Sequence, residues 1–206
     1  MGEQKMKRIA VFASGRGSNF SAISRAVKMG KLKAELALLV CDQPHAGVIA
    51  KAKRQKVAIA LVKRQDYNNR EEFEKEIIRQ LEENKIDLIV MAGFMRVLGK
   101  ELLNKYNNRI INIHPALLPS FKGAHGVKDA FDYGVKVTGV TVHFVDELMD
   151  HGPIILQQAV KIEEADTSES LEAKIHKAEH KLYPQAIELF LEGKLKVEGR
   201  KAKITS

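Results

Sequence analysis

Short apolar runs that alternate with amphipathic segments constrain this chain more than any other feature. "RIAVFA" (8–13) precedes "SNFSAISRAVKM", in which Phe20, Ile23 and Val27 fall on one helical face. "ELALLV" (35–40) precedes "AGVIAKAKRQ", and "VAIALV" (57–62) precedes "NREEFEKEIIRQLEEN", whose stripe is Phe73, Ile77 and Leu81. "DLIVMAG" (87–93) precedes "GKELLNKYN", and "IINIH" (110–114) makes a fifth strand. Continuous apolar strands separated by helices predict an α/β fold with a mostly parallel, Rossmann-like sheet covered on both faces.

After residue 135 the rhythm changes. "VTGVTVHFVD" and "PIILQQAVKI" are separated only by a loop, which predicts antiparallel strands toward the C-terminus. A long helix follows, with Asp166 and Glu169 as its expected N-terminal capping pair and Leu171, Ile175, Ala178 and Leu182 as its buried stripe. Pro184 is expected to kink or locally break it. The whole chain, 1–206, reads as a single domain with a short basic tail after about residue 195.

Composition narrows the function classes. A lone cysteine, Cys41, excludes a disulfide framework and a cysteine-built zinc site, and fits a reducing, cytoplasmic setting. No apolar run approaches membrane-spanning length, and the opening "MGEQKMKR" leads toward the first strand without an apolar signal segment. The net charge of +8 invites a nucleic-acid reading, but the basic residues are dispersed and lack interleaved aromatics. A basic surface suited to small anionic ligands is the better expectation, with no nucleic-acid or membrane partner.

Three constellations can carry chemistry. The first is "ASGRGSN" (13–19) between the first strand and the first helix. A helix start offers free N–H groups and the positive end of a dipole to an anion. A dinucleotide fingerprint would need glycine where Phe20 stands, so Gly17, Ser18 and Asn19 suit a single phosphate better. A tight turn capped by Ser18 is the bland alternative.

The second is Asn112 with His114, two apart on a strand and therefore on one face, at the carboxyl end where open parallel sheets bind ligands. The third is Asp150 in "DELMDHGP" (146–153), which is an ordinary turn aspartate unless it meets a partner. Beside an imidazole it would favour the charged form, so the expectation is that Asp150 keeps His114 protonated or oriented. No HExxH, Cys/His cluster or Gly-x-Ser-x-Gly element is present in the sequence, which leaves a metal or a serine nucleophile unsupported.

The segments "VFASGRGSNFSAI", "LIVMAGFMRVL", "NIHPALLPSFKGAHGVKDAFDYG", "TGVTVHFVDELMDHGPIILQ" and "AEHKLYP" resemble the phosphoribosylglycinamide formyltransferases of the folate-dependent formyltransferase family. The resemblance runs in order from about residue 7 to 195. It implies a transferase of one-carbon metabolism and purine biosynthesis, moving a formyl group from 10-formyltetrahydrofolate to the amine of glycinamide ribonucleotide without a metal. On this resemblance Asn112 and His114, the latter as imidazolium, would donate to the developing oxyanion, and Asp150 would raise the histidine pKa and help move protons.

The same resemblance implies that Gly17, Ser18 and Asn19 hold the substrate phosphate, while His176 and Glu179 reach its phosphate and ribose. Arg70 would meet the folate glutamate carboxylate. Met95, Arg96, Val97 and Leu98, with the loop of Asp146, Glu147, Leu148 and Met149, would line the pterin pocket, and His125 would support the site from behind. His151 departs from the small residue many relatives carry there, and His176 stands where glutamine also occurs. Methionyl-tRNA formyltransferase would add a C-terminal domain, formyltetrahydrofolate deformylase an N-terminal regulatory one, and a non-catalytic nucleotide-binding module would not need the Asn/His/Asp set. A monomer or a homodimer fits equally.

Overall fold

The computed structural model describes residues 6–205, and it divides into two compact units, Met1–Ile110 and Ile111–Ser206. The expectation for the opening residues 1–5 lies outside the described residues.

In the first unit the strands are β1 (Lys7–Phe12), β2 (Ala34–Cys41), β3 (Ala58–Leu61) and β4 (Leu88–Met91), all parallel, in the order β3-β2-β1-β4. The helices α1 (Ser18–Lys28), α2 (Gly47–Arg54), α3 (Arg70–Glu83) and α4 (Lys100–Lys105) alternate with them. Ile9 to Phe12 and Leu88 to Val90 are wholly buried, which is why these strands read as unbroken apolar runs. Phe20 and Ile23 of α1, and Phe73, Ile77 and Leu81 of α3, bury the stripes that their spacing predicts. The chain winds outward from β1 to β3 and returns on the other side at β4, so the topological switch point falls between β1 and β4.

In the second unit β5 (Ile110–His114) pairs antiparallel with β6 (Val137–Phe144), and β6 antiparallel with β7 (Ile154–Lys161), while α5 (Gly126–Tyr133) lies between β5 and β6 in sequence. α6 (Ser168–Leu191) packs on β6 and β7, burying Leu171, Ile175, Ala178 and Leu182 as expected.

Two local expectations are corrected. The cap of α6 is Thr167, whose hydroxyl accepts the Ser170 N–H at 3.2 Å while Ser170 Oγ accepts the Thr167 N–H at 3.0 Å. Asp166 instead binds Ser170 Oγ at 2.7 Å and Lys174 at 2.6 Å. The hydroxyl pair one residue on therefore does the work that Asp166 and Glu169 were expected to share. Of the kink or break expected at Pro184, the break does not occur: α6 runs on as one helix, with Leu182 and Tyr183 before the proline and Ala186 and Ile187 after it all buried. That packing offsets a proline cost of about 3 kcal/mol.

The short basic tail forms a hairpin, which the sequence reading did not anticipate. Strands β8 (Leu195–Glu198) and β9 (Lys201–Ile204) pair antiparallel, and β9 meets β7 in parallel at Ile154 and Lys201. Its alternating half-buried and exposed residues carry too few apolar side chains to announce strands in the sequence.

Candidate active site

The centre of the second unit follows from strand register. Asn112 lies directly opposite His143, and His114 opposite Thr141, so all four side chains emerge on one face of the β5–β6 pair. Tyr183 of α6 donates to the Ile111 carbonyl at 3.0 Å and fixes β5 from behind. Thr141 anchors the turn that leaves β5: its hydroxyl donates to the Ala116 carbonyl at 2.7 Å and accepts the Leu118 N–H at 3.1 Å. Gln157 adds donations to Thr141 Oγ1 and the Leu118 carbonyl, both at 3.0 Å.

Asp150 enters from the β6–β7 loop. Its Oδ2 lies 3.4 Å from His114 Nδ1 and its Oδ1 3.7 Å from His143 Nε2, so one carboxylate faces two imidazoles. The Gly123 N–H donates to Oδ2 at 2.8 Å. Burial works to raise the Asp150 pKa, but the His143 ring, the Gly123 N–H and the charge of His114 outweigh it and hold the carboxyl below its ordinary value.

His114 shows a different balance from the one expected. The ring is 3% exposed, and this burial lowers its pKa below 6.5, although Asp150 and the Phe121 carbonyl pull upward. The imidazolium is therefore harder to form here than in a free histidine. Desolvation outweighs one carboxylate at 3.4 Å, and the sequence does not disclose how deep the ring lies.

The tautomers follow from the partners. His114 Nε2 lies 2.7 Å from the Phe121 carbonyl, which can only accept, so Nε2 carries a proton, while Nδ1 faces the Asp150 carboxylate. His143 Nδ1 donates to the Phe144 carbonyl at 2.7 Å, and its Nε2 lies 3.3 Å from Asn112 Nδ2 and 3.7 Å from Asp150 Oδ1. Asn112, which is only half-buried, keeps a second amide hydrogen for a ligand. An arrangement of this kind can donate a hydrogen bond from Asn112 and exchange a proton at His114 Nδ1 beside Asp150.

His143, Gly123, Phe121 and Thr141 complete this centre and were missed by sequence reasoning. His143 had a findable signal, since it stands on the same face as Thr141 in "VTVHF", but its pairing with Asn112 needs the register. Gly126 opens α5 so close to the ring that an added Cβ would stand 3.2 Å from His114 Nε2 and 3.0 Å from the Phe121 carbonyl. His125 is the N-cap residue of α5, one position before it.

On the late helix His176 Nδ1 lies 2.8 Å from Glu179 Oε2 and Nε2 lies 3.2 Å from Glu172 Oε1. The bond to Glu179 raises the His176 pKa above its ordinary value against an opposing effect of burial. Glu179 is buried while His176 is partly exposed, so the histidine is the group a ligand meets first.

The first unit supplies the remaining candidates. Gly17 is the N-cap of α1 in a left-handed conformation (φ 73°), and a Cβ there would stand 2.6 Å from Val48, so Gly17 rather than Ser18 makes the cap. Ser18 and Asn19 begin the helix, whose first turn carries no acidic residue, and this end stays favourable to an anion. At the switch point Ser14 N–H donates to the Gly93 carbonyl at 2.9 Å, and Ser14 Oγ accepts the Met95 N–H at 3.2 Å while donating to Asp42 at 2.6 Å. Arg96 closes this network on Asp42 at 2.6 Å.

Arg70 is the first residue of α3, after the Asn69 cap. It donates to Glu74 Oε1 and to the Val97 carbonyl, both at 2.8 Å, and Glu74 also accepts the Gly99 N–H at 2.7 Å. The guanidinium therefore secures the 95–98 loop, in which Met95 and Val97 are exposed and Leu98 is buried. Leu148 and Met149 are likewise exposed on the loop that carries Asp150. Among the described residues no group of three or more His, Cys, Asp or Glu side chains is arranged to hold a metal ion, and no helix is long and apolar enough to cross a membrane.

The formyl transferase family matches residues 7–187, across both units. This chain belongs to that family. Among relatives of this formyltransferase, phosphoribosylglycinamide formyltransferase of Bacillus subtilis (strain 168) is 50% identical over 186 residues, covering 90% of this chain and 95% of the relative. Glycinamide ribonucleotide transformylase 1 from Symbiobacterium toebii superposes with a TM-score of 0.96 at 40% identity, covering 99% of this chain and 96% of that one. The human trifunctional purine biosynthetic protein adenosine-3 is 39% identical over 98% of this chain, which spans 20% of its length.

Proposed function

We propose that this formyltransferase moves the formyl group of 10-formyltetrahydrofolate onto the primary amine of glycinamide ribonucleotide, in purine biosynthesis. The observation that carries the reading is one carboxylate, Asp150, shared by His114 and His143 beside the half-buried amide of Asn112. This is what a formyl transfer needs: a donor for the oxyanion and an acceptor for the amine's proton.

The amine nitrogen attacks the formyl carbon, and the carbonyl π pair moves to oxygen, where the free N–H of Asn112 donates. The attacking nitrogen gives its proton, through water, to the Asp150–His114 pair, at Nδ1. Collapse of the tetrahedral species breaks the bond to the folate nitrogen, which leaves with the electron pair and takes up that proton. His114 is an imidazolium in between, stabilised by Asp150. His143 holds the Asn112 amide through Nε2. The proposal assigns no step to a metal.

Gly17, Ser18 and Asn19 are assigned to the substrate phosphate, with His176 and Glu179 toward phosphate and ribose, where a raised histidine pKa suits an anion. Met95, Arg96, Val97, Leu98 and Asp146, Glu147, Leu148, Met149 are assigned to the pterin, and Arg70 to the folate carboxylate. The chain is read as one functional domain, cytoplasmic, monomeric or homodimeric, with small-molecule partners and no nucleic acid. The test is incubation with both substrates and detection of the formylated ribonucleotide. Formate release that needs no ribonucleotide would make the enzyme a hydrolase instead.

A further inference from the structure

The hairpin β8–β9 lies beyond the family-matched residues 7–187, and its turn reaches the loop that carries Asp150. Register explains the reach: β9 begins at Lys201, opposite Ile154, so Arg200 in the turn falls beside the residues just before β7. Arg200 Nη1 donates to the His151 carbonyl at 2.6 Å. The same atom lies 3.0 and 2.9 Å from the two ring nitrogens of His151. One N–H cannot align with both, so the guanidinium packs on the imidazole while the carbonyl takes the hydrogen bond.

The loop is closed from inside as well. Asp146 Oδ2 lies 2.7 Å from His151 Nδ1, and its Oδ1 accepts the Leu148 N–H at 3.0 Å. Within this closed segment Asp150 adopts φ 46°, a left-handed conformation that non-glycine residues avoid. Gly152 follows with its backbone so near the Phe144 carbonyl that a Cβ would stand 1.9 Å from the oxygen. A residue persists in such a conformation only where its surroundings over-determine it.

We infer that Arg200 is a positioning residue for formyl transfer: the C-terminal hairpin latches His151 and thereby holds the 146–151 loop in the form that presents Asp150 and receives the folate. The inference rests on the folate reading of that loop. Arg200 bonds to His151 and not to any residue assigned to the ribonucleotide, so its loss should weaken folate binding and, through Asp150, lower kcat, while the ribonucleotide KM stays unchanged.

The experiment compares full-length wild type with Arg200→Ala, Arg200→Lys and the hairpin control Lys203→Ala. Expected for Arg200→Ala is a KM for 10-formyltetrahydrofolate raised about fivefold, as suits a partly exposed charge-assisted bond, with the ribonucleotide KM unchanged. Arg200→Lys should recover most of this, since an ammonium reaches the same carbonyl, and Lys203→Ala should match wild type. Amide hydrogen exchange should quicken across 146–152 in Arg200→Ala while 195–204 stays protected. Wild-type KM together with unchanged exchange would overturn the inference. Should alanine unfold the hairpin itself, Arg200→Gln keeps the stem but falls short of the carbonyl, and the same two readouts decide. If wild type forms no formylated product, the folate reading fails, while the exchange comparison still decides whether Arg200 holds the loop.

Discussion

His114 Nδ1 stands 3.4 Å from Asp150 Oδ2 while its Nε2 is committed to the Phe121 carbonyl, so only Nδ1 is left to gain or lose a proton. Burial sets the direction of that titration and lowers the pKa below 6.5. Between the folded pKa and 6.5 the unfolded chain binds more protons at this residue than the native one. Its contribution to stability therefore rises with pH across that window and is lost as pH falls through it. An NMR titration should find His114 below 6.5, and Asp150→Asn should lower it further by removing the charge that pulls it up. A His114 pKa above 7 would contradict this balance.

The acid limb of kcat should follow the same group. A neutral His114 beside an ionised Asp150 accepts the amine's proton, so kcat should rise with pH through the His114 pKa and then level. Asp150→Asn should reduce the plateau and move the limb to lower pH. A limb that stays in place in this variant would detach catalysis from the pair.

Asn112 and Asp150 meet the same transition state through different atoms. Loss of the Asn112 donor in Asn112→Ala should cost about 2.7–4 kcal/mol in kcat, the range for one oxyanion donor. His114→Ala and Asp150→Ala combined should lose far less than the sum of the single effects, because they hold one proton between them. Additive losses at saturating substrates, in variants of native circular dichroism, would separate the two residues.

The pair Asn112/His114 was legible because alternation on a strand is independent of what surrounds the strand, and the same holds for the stripes of α3 and α6. What was not legible depends on position in three dimensions. His143 became a partner only through its register with Asn112, and the burial that lowers the His114 pKa comes from the packing around the ring. Ser18 was named as a cap, but the left-handed turn and the nearness of Val48 select Gly17. Pro184 obeyed packing on both sides rather than its own propensity. The hairpin escaped notice because two four-residue strands with lysine at alternate positions in β9 carry almost no hydrophobic signal.

Arg70 ties the start of α3 to the Val97 carbonyl, so it acts on the 95–98 loop before it meets any ligand. Arg70→Ala should raise the KM for 10-formyltetrahydrofolate and leave kcat largely intact. Arg70→Lys should behave almost as badly, since one ammonium cannot serve Glu74 and the Val97 carbonyl with the same fork. Steady-state kinetics with each substrate varied in turn checks this, and a fall in kcat at constant KM would place Arg70 elsewhere in the mechanism.

Thr141 sets the last prediction, because it supports the site without touching a reacting atom. Its buried hydroxyl links Ala116, Leu118 and Gln157, and the turn they shape carries the chain from His114 toward Phe121, the residue that fixes the imidazole tautomer. Thr141→Val keeps the volume but leaves the buried Leu118 N–H without its acceptor, at a cost of about 1–3 kcal/mol. Thr141→Ser keeps the hydroxyl and should lose only the smaller term of a missing methyl group, about 1 kcal/mol. Denaturant unfolding should therefore rank wild type above serine and serine above valine. In the valine variant a loosened turn should also weaken the His114–Phe121 bond, so kcat should fall further than the stability loss alone would produce in a protein still fully folded at assay temperature. Equal stability of the valine and serine variants would show that the hydroxyl network does not hold the turn.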